Sequence, residues 1–160
     1  MNARAGATSR TREDRARMDA LDALLRASIE LRRHIEQVAR DFEISAPQAR
    51  LLLILEEPMR MQHAAEATAC EPSHLTALAD QLQRAGLITR EPDPDDRRAR
   101  RLSLTTRGRA VRTALAPAML DGAPVIGSLD ARECEELRTL IDTRLVRAPD
   151  PLGVKPPSDA

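Results

Sequence analysis

Residues 72–108 read PSHLTALADQLQRAGLITREPDPDDRRARRLSLTTRG, and their pattern decides the fold. Pro72 suits a first helical position, where its missing N–H costs nothing. Leu75, Leu78, Ala79 and Leu82 recur at steps of three and four, so a helix buries that stripe, and Gly86 ends it. Leu87-Ile88-Thr89-Arg90 reads as a strand. Glu91 to Asp96 hold two prolines and four acids and are expected to be neither helix nor strand. Arg101-Leu102-Ser103-Leu104-Thr105 alternates polar and apolar, the strand period. Thr105 or Thr106 then caps a helix to about Leu120, with Pro117 bending or ending it. The stretch is a helix followed by a β-hairpin with a charged tip.

Working toward the N-terminus, Met61 to Ala69 reads as a short alanine-rich helix, broken at Cys70-Glu71. Ala64, Ala65 and Ala69 let it approach the next helix closely, which makes a helix-turn-helix. Ser45 and Gln48 form a capping box, and Pro47 fits the first turn behind it. Leu51-Leu52-Leu53-Ile54-Leu55 is apolar on every side, so that helix should be buried all round, with Pro58 after its end. From Arg15 to Phe42, the apolar residues Met18, Leu21, Leu24, Leu25, Ile29, Leu31, Ile35, Val38 and Phe42 lie mainly three or four apart, one face of a long helix. Toward the C-terminus, Gly122, Pro124 and Gly127 make a loop. Asp130 and Glu133 form a second capping box, opening a helix to about Arg147 whose apolar positions are Leu137, Leu140, Ile141 and Leu145. Residues 1–14 and 148–160 read as disordered tails.

The fold class is therefore mainly α with a small β-hairpin wing, in a single domain over 15–147. The 160 residues carry 25 Lys+Arg and 25 Asp+Glu, yet nine arginines against four acids fall within 84–112. Such a basic island in a neutral chain is the electrostatic footprint that phosphate binding needs. Two cysteines make no disulfide framework. No apolar run approaches ~18 residues, so no membrane span is expected. Met1 to Asp14 lack the apolar stretch of a secretory signal, so a soluble, cytoplasmic protein is expected. There is no glycine-rich phosphate loop, nucleophile elbow or paired-carboxylate motif, so the chain does not read as an enzyme. His34, His63 and His74 lie far apart without cysteine partners, so no metal and no cofactor is expected.

Gly86-Leu87-Ile88-Thr89-Arg90, Pro94-Asp95-Asp96-Arg97-Arg98 and Leu104-Thr105-Thr106-Arg107-Gly108, in that order and spacing, resemble the MarR (multiple antibiotic resistance regulator) family of winged helix-turn-helix regulators. The likeness runs from about Ile44 to Gly108. It implies a homodimer with a DNA-binding lobe over 44–108 and a dimer base woven from 15–43 and 109–147. It also implies a repressor on a near-palindromic operator in double-stranded DNA, relieved by a small lipophilic or phenolic effector or by oxidation. The residues agree with the DNA part. A recognition helix from Pro72 presents Ser73, His74, Thr76, Ala77 and Gln81 opposite its leucines, where short polar side chains suit base edges. The tip offers Arg97 and Arg98 to a minor groove, with Asp96 placed to orient Arg98 and Arg100 placed for phosphates. Glu71 and Ala77 depart from the family pattern. They support an alternative, a winged-helix protein-interaction module that has lost operator binding. The effector cavity implied by the resemblance would take Leu31, His34, Ile35, Leu52 and Leu55. Cys70, in the turn before the recognition helix, is the redox candidate.

Overall fold

The computed structural model describes residues 3–96 and 98–145. They form α1 (Ala3–Asp41), α2 (Ala46–Ile54), β1 (Met59–Arg60), α3 (Met61–Thr68), α4 (Pro72–Arg84), β2 (Ile88–Pro92), β3 (Arg100–Leu104), α5 (Thr106–Leu120), a 3-10 turn at Ile126–Ser128 and α6 (Ala131–Leu145). Their contacts group into two compact units rather than the one domain expected, the first ending at Pro124 and the second starting at Val125.

In the first unit, the expected tail over 1–14 is corrected: α1 begins at Ala3. Residues 3–14 are rich in alanine and arginine, strong helix formers, and contain no proline to stop a helix that continues into the amphipathic stretch. Pairs at helical spacing, Arg17 with Asp14, Arg26 with Asp22 and Arg33 with Glu30, line its outer surface.

Both halves of the first capping box are formed. Gln48 N donates to Ser45 Oγ at 3.4 Å, and Ser45 N donates to Gln48 Oε1 at 2.7 Å. Leu51, Leu52 and Leu55 of the following run are buried, whereas Leu53 and Ile54 are only half-buried, so α2 is not enclosed on every side as expected. The core joins α2, α3, α4 and α5 to the sheet through Leu51, Leu52, Leu55, Ala64, Leu75, Leu82, Ile88, Leu102 and Leu115.

The wing differs from the hairpin expected in two ways. It has a third strand, giving an antiparallel sheet of order β1-β3-β2, with Met59 opposite Leu102 and Ile88 opposite Leu104. Two residues are too short a run to show period-two alternation in a sequence. Second, β2 continues through Glu91 and Pro92, with Pro92 opposite Arg100. A proline is tolerated there because β2 is an edge strand, with one side already lacking a partner.

Gly86 has φ +72°, the left-handed geometry of a helix C-terminal stop. Thr105 then joins the wing to α5. Its N–H donates to Leu87 O at 3.0 Å, its hydroxyl donates to Gly86 O at 2.7 Å, and its Oγ1 accepts from Gly108 N at 2.9 Å. A Cβ on Gly108 would overlap the Leu87 carbonyl oxygen, which explains the glycine. Pro117 lies inside α5 without ending it.

In the second unit, Asp130 and Glu133 cap α6 reciprocally at 2.8 and 2.9 Å. Leu140 and Ile141 stand exposed on it. The expected continuation of this helix to Arg147 and the tail over 148–160 lie outside the described residues.

Candidate DNA-binding face

α3 and α4 are joined by Ala69, in the left-handed conformation at φ 50°, and by Cys70 and Glu71. Thr68 closes α3 by donating its hydroxyl to Ala64 O at 2.6 Å, and Cys70 N donates to Ala65 O at 2.9 Å. Cys70 is half-buried in this turn. Glu71 stands at the N-cap of α4 and makes no side-chain cap bond. A glutamate reaches the first amides less well than Ser, Thr or Asp.

Leu75, Leu78, Ala79 and Leu82 of α4 are buried. Ser73, His74, Thr76, Ala77 and Gln81 are exposed on the other side, so the structure places all five on one outer surface. Two of them are already engaged. Thr76 donates its hydroxyl to Pro72 O at 2.8 Å, and Gln81 Oε1 accepts from Gln48 Nε2 at 2.7 Å.

The arginines of the basic island divide by partner. Arg90 pairs with Asp80 at 2.7 Å and donates to Thr76 O at 2.8 Å, strapping β2 to α4. Arg84 donates to Asp80 O, Arg101 to Pro58 O, Arg107 to Ala85 O and Arg109 to Leu104 O. Arg112 donates to Leu53 O and pairs with Glu56. Arg98 and Arg100 are exposed, and their guanidinium groups meet no partner among the described residues. They share a cleft of about 730 Å³ with Glu71, Pro72 and Thr76 at the start of α4. Arg97 lies outside the described residues.

Asp96 Oδ1 accepts from Arg98 N at 2.9 Å, a contact with the Arg98 main chain and not with its guanidinium. The stronger anchor is one that sequence reasoning missed. Asp93, 2% exposed, accepts from Asp95 N at 2.9 Å and Asp96 N at 3.1 Å, and is gripped by Arg60. The Arg60 hydrogen bonds, with those two amides, hold the Asp93 carboxyl well below the usual carboxylate range. Asp-Pro-Asp-Asp is an Asx-turn signature that marks Asp93, whereas nothing local marks Arg60 as its partner.

The five effector candidates are dispersed in role. Leu31 and Ile35 are half-buried on α1, and His34 Nε2 lies 3.1 Å from Met119 O of α5. Leu52 and Leu55 are buried in the lobe core. An open cleft of about 800 Å³ is lined instead by Leu53, Ile54, Met59, His63 and the Arg60–Asp93 pair. Among the described residues no group of three or more His, Cys, Asp or Glu is placed to hold a metal ion. No helix among them is long and apolar enough to cross a membrane.

The MarR family model matches residues 44–99. No curated protein matches the chain in sequence. Among solved structures, the chain is similar to AbsC, a MarR family transcriptional regulator from Streptomyces coelicolor: 24% identity, 81% of this chain and 91% of that one, TM-score 0.71. A second MarR family regulator from the same organism, solved in complex with DNA, is 23% identical over 80% of this chain and 84% of that one, with TM-score 0.70. BpsR of Bordetella bronchiseptica, whose DNA binding is regulated by 6-hydroxynicotinic acid, is 22% identical over 80% and 93%, with TM-score 0.63. At these identities the structural likeness establishes the winged-helix fold.

Proposed function

We propose that this chain, whose residues 44–99 match the MarR family model, is a cytoplasmic, homodimeric repressor binding a near-palindromic operator. One observation carries the reading. Arg98 and Arg100, on the wing, have no side-chain partner among the described residues and lie beside the start of a helix whose outer face is short and polar. Ser73, His74, Thr76, Ala77 and Gln81 meet base edges in the major groove. Arg98, with Arg97 next to it, enters the adjacent minor groove, and Arg100 meets phosphate.

The dimer is supported by α1. Met18, Leu21, Leu24, Leu25 and Ile29 are 47–65% exposed in the single chain, an apolar stripe of the kind that two helices bury together. Two lobes then read half-sites about one helical turn, ~10 bp, apart. Release by a small lipophilic or phenolic acid is proposed by analogy with the 6-hydroxynicotinic acid response of BpsR. Oxidation of Cys70, beside the recognition helix, is the second route of release.

A titration of the chain's own upstream DNA against salt tests this reading. Affinity falls linearly on a log–log plot as arginine–phosphate contacts displace counterions. Absence of binding at low salt overturns it. That outcome favours a winged-helix protein-interaction module, which the exposed, non-capping Glu71 at the entry of α4 would suit.

A further inference from the structure

We propose that Gln48, a residue of α2, sets which base Gln81 of α4 reads. The inference rests on α4 being the DNA-recognition helix, and it follows from a chain of hydrogen bonds whose polarity can be worked out from one end. The main-chain N–H of Ser45 points at the Gln48 amide, 2.7 Å from Oε1. An N–H only donates, so the oxygen of Gln48 is fixed toward Ser45. Its Nε2 therefore faces the other way, 2.7 Å from Gln81 Oε1. Nε2 has no lone pair to offer, so the Gln81 atom it meets must be the accepting oxygen. The amide of Gln81 is thereby held oxygen-inward, with its NH2 as the end left for an outside partner.

Gln81 is exposed, one helical turn beyond Ala77 and two beyond Ser73 on the same ridge. An unconstrained glutamine reads adenine with both ends of its amide, accepting from N6 and donating to N7. With its oxygen turned inward toward Gln48, the Gln81 amide cannot lay both of its ends along one adenine edge. It offers donors alone, which match both O6 and N7 of guanine or O4 of thymine, whereas adenine offers only N7 beside a repelling N6–H and cytosine only a repelling N4–H. Gln48 is thus a positioning residue: without touching a base, it makes Gln81 choose a keto base over an amino base on the contacted strand.

The test is selection of bound duplexes from a random pool by the full-length protein and two variants. Gln48→Glu is the informative one. A glutamate at this position still accepts from Ser45 N, as in a Ser-x-x-Glu capping box, so the helix cap persists and the melting temperature checks it. The new carboxylate cannot donate, so Gln81 must turn its NH2 inward and present its oxygen. One base pair per half-site is then expected to reverse, guanine or thymine giving way to cytosine or adenine on the same strand. The variant should favour the reversed site over the original by roughly tenfold, the scale of one good base contact. Gln81→Ala should erase the preference at that position alone. The same selected motif with Gln48→Glu as with the unaltered protein, or no change at any position with Gln81→Ala, overturns the inference while leaving DNA binding intact. Failure of the unaltered protein to enrich any sequence overturns the DNA-reading premise as well.

Discussion

Arg60 grips Asp93, just past the end of β2 toward the wing tip, at two points, Nε to Oδ2 at 2.8 Å and Nη2 to Oδ1 at 2.9 Å. The same carboxylate accepts the amides of Asp95 and Asp96, and Asp96 in turn accepts the amide of Arg98. The wing arginine is therefore presented by a relay of carboxylates that begins at β1, outside the hairpin itself. Asp93→Asn keeps the shape but loses the charge-assisted pair, so the tip should lose its fixed geometry. DNA affinity should fall by about tenfold, the effect of losing one charge-assisted contact, with α-helical circular dichroism retained. Unchanged affinity would show that the tip is ordered by DNA rather than by Arg60.

The lowered Asp93 pKa has a consequence for stability against pH. A carboxyl whose folded value lies below its ordinary one, ~3.9 for aspartate, stabilises the fold fully above that ordinary value. The contribution is lost as pH falls from there toward the lowered value. The melting-temperature gap between the unaltered protein and Asp93→Asn should therefore be constant from neutrality to about pH 5 and shrink on further acidification. A gap that stayed constant to pH 3 would contradict the pairing.

Much of this architecture was legible in the sequence because it rests on local chemistry. Ser45 with Gln48, Asp130 with Glu133, and Thr105 before Gly108 are caps whose partners lie three residues away. The leucine stripe of α4 follows from helical period alone. What was not legible depends on long-range pairing. β1 is two residues whose partner, Leu102 or Arg101, lies more than forty positions on. Arg60 has no local sign that Asp93 is its counter-ion, and Gln48 reads as a helix cap with no hint of Gln81. For the same reason, charge counting found the basic island but could not divide its arginines. Arg90, Arg101, Arg107, Arg109 and Arg112 serve carbonyls and carboxylates elsewhere in the lobe.

That division is itself testable. Arg98→Ala and Arg100→Ala remove groups with no partner among the described residues, so melting temperature should be unchanged. Each should lower DNA affinity at every sequence and reduce the salt slope by about one. Arg90→Ala should do the reverse, lowering melting temperature because Asp80 and the Thr76 carbonyl lose their partner. Equal effects of Arg98→Ala and Arg90→Ala on stability would undo the assignment.

Gly108→Ala places a methyl group on the carbonyl oxygen of Leu87, at the joint where Thr105 binds the wing to α5. The obstacle is backbone, held by a hydrogen bond from Thr105 N, so it cannot rotate away as a side chain would. Overpacking of this kind costs about 1–3 kcal/mol, to be read from urea unfolding. Since the strand must shift, DNA affinity should fall with it. A variant as stable as the parent would mean the joint is looser than its contacts indicate.

Leu24 and Leu25 are 65% and 53% exposed on α1, and with Met18, Leu21 and Ile29 they continue an apolar face past the point where the lobe core covers the helix. Leaving such side chains in water forgoes about 1.5–3 kcal/mol each relative to full burial, which is the driving force for a second copy to cover them. Leu24→Glu with Leu25→Glu puts two carboxylates in the middle of that stripe. In a homodimer built on this face they meet their own symmetry mates, so like charges face one another without solvent. The double variant should elute as a monomer in light scattering at concentrations where the parent is dimeric. Binding to a two-half-site duplex should weaken by at least a hundredfold, because the second half-site is no longer held at high effective concentration. Binding to a single half-site, made by one lobe, should be unchanged. A double variant that remained dimeric would place the interface elsewhere and remove α1 from the proposed dimer base.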